Sequence, residues 1–418
     1  MGNLRTIFWL MVSALALASC VDVRLQPEAD KPKSGLLVLK GATIYAQPDQ
    51  APLENGVIVL EGRQISALGN SEEIEIPNGA RVIELQGKTV LPGFWNSHVH
   101  FIGPEWDSAE SMPAEALDQL LTERFLQYGF IHVFDTGALE PEPVLHLRKR
   151  TDSGELDGPV IRTALVPLVP PNGTPRYVEP VQLPEIANAQ QARKAVDDRL
   201  ARGADGIKLF TVPITRNQPF PEMDPGAVQA VTRRAHMDGR PVFAHPTNLR
   251  GVEIALEGGV DVLAHTVPAA GELPAAIYAQ LREQDVALIP TLTLWEEEFG
   301  PDKTGLDEFM AAAQAQLREY WRLGGRILFG TDAGFMPVYD PLREYELMEE
   351  AGLDFTAVLT SLTTAPARQF GAGHRTGRLE AGFDADIVVV SGNPREDMKA
   401  LREVELVIKQ GRVLFDLL

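Results

Sequence analysis

The chain has 418 residues, 44% of them hydrophobic, which is room for one large barrel of roughly 250 residues and a smaller companion domain. A chain of net charge −20 repels nucleic acid and anionic lipid head groups, so neither is an expected charge-driven partner. The single cysteine, Cys20, excludes an internal disulfide.

In chain order, Met1 to Arg5 is a short basic start, and 7–18 is an apolar run. That run has the length of a signal-peptide core and is too short to span a membrane as a stable helix. Leu17-Ala18-Ser19-Cys20 follows and resembles a bacterial lipobox. The resemblance implies a signal peptide over 1–19 and a lipid on Cys20, with a polar tether over 20–35. The expected location is the envelope of a bacterium, lipid-anchored outside the cytoplasm and facing the periplasm in a Gram-negative cell.

From Leu36 to Leu85 short β-like runs (37–39, 56–60, 64–68, 81–85) alternate with turns, the spacing of a small antiparallel sheet. The C-terminus repeats the style in 386–390, 404–408 and 411–415. Two β-rich ends around a different middle predict that the ends, 36–87 and 366–418, meet in one β-sandwich. The middle, 88–365, alternates strand and helix, the signature of a parallel sheet. Eight strands are predicted: 88–90 leading into 96–100, then 131–134, 160–165, 206–210, 241–244, 260–264, 287–290 and 326–329. Helix-like stretches such as 113–128, 189–202, 226–237 and 307–323 separate most of them. The expected fold class is α/β, a (β/α)8 TIM barrel with a small β-sandwich domain built from both chain ends.

His98 and His100 are two residues apart, and on a strand that spacing puts both rings on one face. His245, His265 and Asp332 each follow a predicted strand, and Lys208 lies within the fourth. In a (β/α)8 barrel the C-terminal strand ends converge on one mouth, so groups distant in sequence meet there. Imidazoles and a carboxylate gathered in one place suit a divalent metal.

Pro92-Gly93 leading to His98-x-His100, then Lys208, His245, His265 and Gly330-Thr331-Asp332, resemble the amidohydrolase superfamily. So does the tail Gly377-Arg378-Leu379-Glu380-Ala381-Gly382-Phe383-Asp384-Ala385-Asp386-Ile387-Val388. The likeness runs in order through nearly the whole mature chain. It implies metal-dependent hydrolysis with His98, His100, Lys208, His245, His265 and Asp332 as ligands and Asp332 also as the catalytic base. Lys208 resembles the carboxylated lysine that bridges two metals in dipeptidase- and carboxypeptidase-like members, so two divalent ions are expected, zinc being the default for these donors. An ammonium beside dications is repelled, so at such a site Lys208 must be neutral or a carbamate.

The resemblance points to a small-molecule amide, a dipeptide or N-acyl amino acid, with lactone or phosphotriester hydrolysis as the alternative. Deaminase-like members carry Glu three residues after the strand-five histidine, where this chain has Asn248. A lipid-anchored metal- or ligand-binding protein without turnover has no need of Asp332. The chain departs from the common pattern at Asn96, where many members have Asp, at Thr211-Val212-Pro213 after the lysine, and at Pro246 after His245. His146, His236 and His374 read as structural or surface residues. His132 and Asp135-Thr136, on the second strand, read as structural or as support for the site. Residues 169–184, with Arg176 and Tyr177, and 291–295 lie beyond strand ends, as substrate walls or ordinary loops.

Overall fold

The computed structural model describes residues 35–298 and 304–418. The predicted signal peptide, Cys20 and nearly all of the tether lie outside the described residues. Among the described residues no helix is long and apolar enough to cross a membrane.

Fifteen strands are formed among the described residues. In chain order they are β1 (Leu36–Ile44), β2 (Leu53–Glu61), β3 (Gln64–Asn70), β4 (Arg81–Glu84), β5 (Lys88–Pro92), β6 (Phe94–Val99), β7 (Phe130–Asp135) and β8 (Val160–Thr163). The others are β9 (Ile207–Val212), β10 (Val242–Pro246), β11 (Val262–Ala264), β12 (Ala287–Ile289), β13 (Ile387–Ser391), β14 (Val404–Lys409) and β15 (Arg412–Asp416).

The two chain ends meet in one eight-stranded sheet, ordered β15-β14-β13-β5-β1-β2-β3 with β4 also on β1. Its inner face buries Leu39, Ile58 and Leu60 from the N-terminal half against Ile387, Val389 and Leu406 from the C-terminal half. The sheet is mixed, not purely antiparallel. β4 takes Leu37–Lys40 of β1 and β5 takes Thr43–Ile44, both parallel, because the chain crosses over after β3 and runs back in the direction of β1.

β5 was expected to lead into the first barrel strand. It instead pairs antiparallel with β13 along Lys88–Pro92, so it belongs to the terminal sheet, and the change of unit falls at Gly93. A Cβ on Gly93 would sit 2.6 Å from Ile131 and 3.2 Å from Asp386, so only glycine lets the chain pass between the two units here. At the other boundary, Ala365, Ala367, Phe370 and Ala372 pack with Trp95, Phe134 and Phe243 of the parallel strands. Ala367, Phe370 and Ala372, expected in the terminal domain, are therefore buried against the central one.

The parallel strands form two sheets, β6-β7-β8 and β12-β11-β10-β9. Backbone bonds continue between them: Leu168 N–H donates to the Lys208 carbonyl (2.9 Å) and Phe210 N–H to that of Leu168 (2.9 Å). On the other side 326–333 runs between β12 and β6. Leu328 N–H donates to the Leu288 carbonyl (2.9 Å), and Ser97 N–H to that of Phe329 (2.7 Å). The eighth predicted strand, 326–329, makes only an isolated bridge, because Phe329 N–H is diverted to the Ser361 carbonyl (2.9 Å).

Helices alternate with these strands, and the predicted helices fall within a few residues of Ala114–Arg124, Ala189–Ala201, Pro225–His236 and Leu306–Arg322. Asn188, Asp224 and Asn248 cap three helices with side-chain oxygens on first-turn N–H groups. Between the parallel strands Phe134, Phe243 and Phe370 meet with tilted rings at 4.8–5.9 Å between centroids, an aromatic cluster in a packed core.

Candidate active site

The parallel strands and the segment 326–333 place the predicted residues around one cavity of about 440 Å³. It is lined by His98, His100, Lys208, His245, His265 and Asp332. All six predicted ligands are thus brought together. The rings of His98 and His265 lie 4.7 Å apart, as do those of His245 and His265, and His98 and His100 are 5.2 Å apart. Ligand atoms of His98, His265 and Asp332 all fall within 4.8 Å of one another, a candidate metal-binding group.

The local backbone is bent to achieve this. His265 (φ 82°) and Asp332 (φ 62°) both occupy the left-handed region, which costs a non-glycine residue on the order of 1–3 kcal/mol and clusters at functional sites. Asp332 N–H and His100 N–H bond to the carbonyls of His98 (2.9 Å) and Ala333 (2.8 Å), lacing the segment onto β6. Gly334 makes the approach possible. A Cβ there would stand 1.8 Å from the His100 carbonyl oxygen. Asn96 ties the same two segments, donating to Thr331 Oγ1 at 2.8 Å.

The outer ring nitrogens of two histidines are held in place. His100 Nδ1 lies 2.6 Å from the Gly137 carbonyl, which leaves Nε2 pointing at Asp332. His265 Nδ1 lies 2.6 Å from Thr291 Oγ1. Supports of this kind fix the orientation of a ligating histidine. Neither Gly137 nor Thr291 was singled out for this role by the sequence, because each sits on a different segment from the ring it holds.

Asp332 Oδ1 is 2.8 Å from His100 Nε2 and 3.2 Å from His98 Nε2, yet it has no partner of hydrogen-bonding geometry. Both ring nitrogens of His98, which is fully buried, are equally unpartnered. Buried polar atoms are seldom left so. Donor atoms that converge without bonding one another fit a shared cation. A set of imidazoles, a carboxylate and a lysine suits a divalent metal of the zinc type.

The electrostatics agree. Burial, followed by the nearby Lys208, pulls the His98 imidazole down to about 3, so it is neutral and ready to ligate. Burial also holds His245 and His265 well below the usual range. Burial opposes the charge of His100, but the Asp332 carboxylate beside it prevails and raises it. Asp332, despite burial, is held well below the ordinary carboxylate range by His98 and His100. Lys208 is pulled down to about 8 by burial, against the pull of Asp332 and Asp135.

Beyond these groups the cavity is largely apolar, with Tyr177, Phe210, Leu294, Trp295 and Phe335 on its walls. The predicted wall segments therefore do face it, although Arg176 does not line it. Trp295 Nε1 donates to Thr266 Oγ1 (2.9 Å). The helix that carries it, Leu292–Glu298, starts on Glu344, whose buried carboxylate accepts from Leu292 N–H (2.8 Å), Thr293 N–H (2.7 Å) and Thr293 Oγ1 (2.8 Å). Thr136 and Thr247 line the cavity with buried hydroxyls that lack protein partners. Asp135 is buried behind His100, 3.9 Å from its Nδ1, and accepts from Thr163 Oγ1 (2.5 Å).

His132 does not reach the cavity. It stacks on Trp95 at 4.2 Å, and its Nε2 lies 3.0 Å from Asp386 at the junction with the terminal sheet. His236 pairs with Asp261 at 2.9 Å. Asn248, which stands where deaminases place a glutamate, is a helix N-cap accepting from Gly251 N–H at 2.9 Å.

Parallel strands carrying a cluster of histidines beside an aspartate form an α/β framework with a candidate metal-binding group. The sequence matches the amidohydrolase family over residues 89–414, and the chain belongs to that family. It is a hydrolase acting on carbon–nitrogen bonds. The ochratoxinase of Aspergillus niger is 23% identical over 371 residues, covering 78% of this chain and 75% of that one. The crystal structure of that ochratoxinase superposes with a TM-score of 0.74 at 18% identity, covering 91% of this chain and 96% of that one. A Xaa-Pro dipeptidase solved with methionine in its active site superposes with a TM-score of 0.77 at 23% identity, covering 90% of this chain and 99% of that one.

Proposed function

We propose that the protein hydrolyses an amide bond in a small molecule, with His98, His100, Lys208, His245, His265 and Asp332 holding two divalent ions, zinc by default. The observation that carries this is the convergence of unpartnered Asp332 Oδ1 and His98 Nε2 on the floor of a largely apolar cavity. Such ions, when bound, lower the pKa of a water and polarise the scissile carbonyl. Asp332 takes the proton of the attacking water and hands it to the leaving nitrogen. His100, fixed by the Gly137 carbonyl, holds that carboxylate in place. Lys208 is carried as a carbamate: its neutral amine bonds to CO₂ and loses a proton, which exchanges a buried cation for an anion suited to bridging.

The substrate we favour is an N-acyl amino acid or dipeptide with a bulky apolar group, because Tyr177, Phe210, Trp295 and Phe335 offer aromatic surface and Thr136 and Thr247 offer hydroxyls to orient it. In this reading the two parallel sheets and 326–333 close into a (β/α)8 barrel. The terminal sheet folds over as a sandwich, supported by Ile65 N–H on the Phe383 carbonyl (2.9 Å). Residues 1–19 are removed as a signal peptide, and Cys20 carries the lipid that tethers the enzyme to the envelope. The test is a panel of N-acyl amino acids, dipeptides, lactones and phosphotriesters offered to the zinc-loaded enzyme. Turnover of amides bearing aromatic groups supports the reading. Turnover of lactones or phosphotriesters alone replaces it with the alternative.

A further inference from the structure

A second cleft lies at the junction of the terminal sheet with the central unit and shares no lining residue with the metal-facing cavity. Its volume is about 600 Å³, and five of its lining residues are cations: Arg63, Arg162, Arg375, Lys409 and Arg412. Only two, Asp152 and Asp384, are anions. In a chain of net charge −20 this local excess of positive charge is anomalous.

The cations divide into two groups. Arg375 is paired with Asp384 (2.7 Å from Nε) and Arg412 with Asp157 (2.5 Å). The other three have only neutral hydrogen-bond acceptors among the described residues. Arg162 donates to the Phe370 carbonyl (2.8 Å) and lies over the Trp95 ring, Lys409 donates to the Gly158 carbonyl, and Arg63 donates to Gln410. Arg162 and Lys409 are partly to largely buried. Burial pulls both below their ordinary values, against the attraction of Asp205 for Arg162 and of Asp386 for Lys409. Among the described residues neither has a carboxylate in ion-pair contact, and a partly buried cation is costly when its nearest partners are neutral.

A separate observation points to the same place. His132 lines the cleft, is only 5% exposed, and has an Nδ1 with no partner. Its Nε2 faces the Asp386 carboxylate at 3.0 Å, which makes Nε2 the donor and leaves Nδ1 as a bare acceptor. A ligand that suits all of these groups carries negative oxygens for the guanidinium forks and the ammonium, together with an O–H for the imidazole.

We infer that this cleft is a phosphate-binding site, taking inorganic phosphate or a phosphomonoester on Arg63, Arg162 and Lys409. A hydrogen phosphate combines anionic oxygens with an O–H, and arginine forks match its geometry. The site lies outside the hydrolytic cavity and shares no lining residue with it.

The test is isothermal titration of the zinc-loaded enzyme with inorganic phosphate and, separately, with glycerol phosphate, at low ionic strength. Saturable binding is expected, at least tenfold weaker in the Arg162→Gln/Lys409→Gln double variant. Arg63→Gln, an exposed change that leaves folding intact, should weaken binding about threefold, in line with the loss of one charge-assisted contact. Asp332→Asn, altered only in the other cavity, should bind phosphate as the wild type does. Tighter binding of glycerol phosphate than of phosphate assigns the site to monoesters, and the reverse order to the free ion. No binding of either at 10 mM overturns the inference. So does binding that survives Arg63→Gln and the double variant but is lost in Asp332→Asn, which would place the phosphate on the metals.

Discussion

Replacing Asp332 by Asn separates the two duties proposed for this residue. The backbone tolerates the change, because φ at 332 is 62° and Asn accepts the left-handed region as readily as Asp. The anchoring bond from the 332 N–H to the His98 carbonyl (2.9 Å) is also untouched. What is lost is one negative charge 2.8 Å from His100 Nε2 and 3.2 Å from His98 Nε2, on a side chain that is itself buried. The amide oxygen still offers a lone pair for coordination, but the group no longer accepts a proton. General-base catalysis contributes about 10²–10⁴ in rate, so kcat per bound metal should fall by that factor. This corresponds to about 3–5 kcal/mol of barrier. The assay is steady-state kinetics on a good amide substrate, with metal content measured by elemental analysis in the same samples. Expressing kcat per metal-loaded site removes the contribution of weakened metal affinity. A variant that retains metal and turns over at nearly the wild-type rate would refute Asp332 as the base. Asp135, buried 3.9 Å behind His100, is then the carboxylate to test, whereas His132 is excluded by its position at the terminal sheet.

Three further outcomes are expected. Lys208→Ala should lose most activity and part of the metal, and bicarbonate should speed recovery of the stripped wild type; a single fully active ion with no bicarbonate effect would overturn the carbamate. Glu344 is raised to about 7 by burial, so the folded state holds a proton that the unfolded chain releases above about 4.5. Its contribution to stability is therefore full below the unfolded value and is lost as pH rises through 7, on the order of 3 kcal/mol. Glu344→Gln should flatten the slope of stability against pH between 4.5 and 7 in denaturant melts, and an unchanged slope would discount the burial argument. Finally, Cys20→Ala should abolish fatty-acid labelling and membrane fractionation; a variant that still pellets with membranes, beside a wild type that takes up no label, rules out the anchor.

The candidate site was legible because its groups are rare in strand contexts. His98-x-His100, and His245, His265 and Asp332 just past apolar runs, have few explanations besides a shared cation. Lys208 was legible for the same reason, since a lysine within an apolar strand is costly unless it has a task. The supports were not legible. Glu344 holds the helix bearing Trp295 from half a hundred residues away, and nothing in its local sequence distinguishes it from other helix-face glutamates. The placement of β5 was missed because an apolar run that continues into another looks like one strand, and only the antiparallel partner β13 assigns it to the terminal sheet. The eighth predicted strand, 326–329, makes only an isolated bridge at Ile327, with Phe329 N–H bonded to the Ser361 carbonyl, a tertiary choice that periodicity does not encode.

The pairing of β5 with β13 has a consequence for synthesis. The strands β1 to β5 are made well before β13 and β14, which cover β5 and its sheet. A nascent or truncated chain therefore presents the open edge of β5 and the apolar side chains of Leu39, Ile58 and Leu60 until β13 and β14 have been made. Exposed edges of this kind pair readily with other chains. The terminal sheet thus ties its two halves together: a chain that stops short of β13 leaves the edge of β5 uncovered and adhesive.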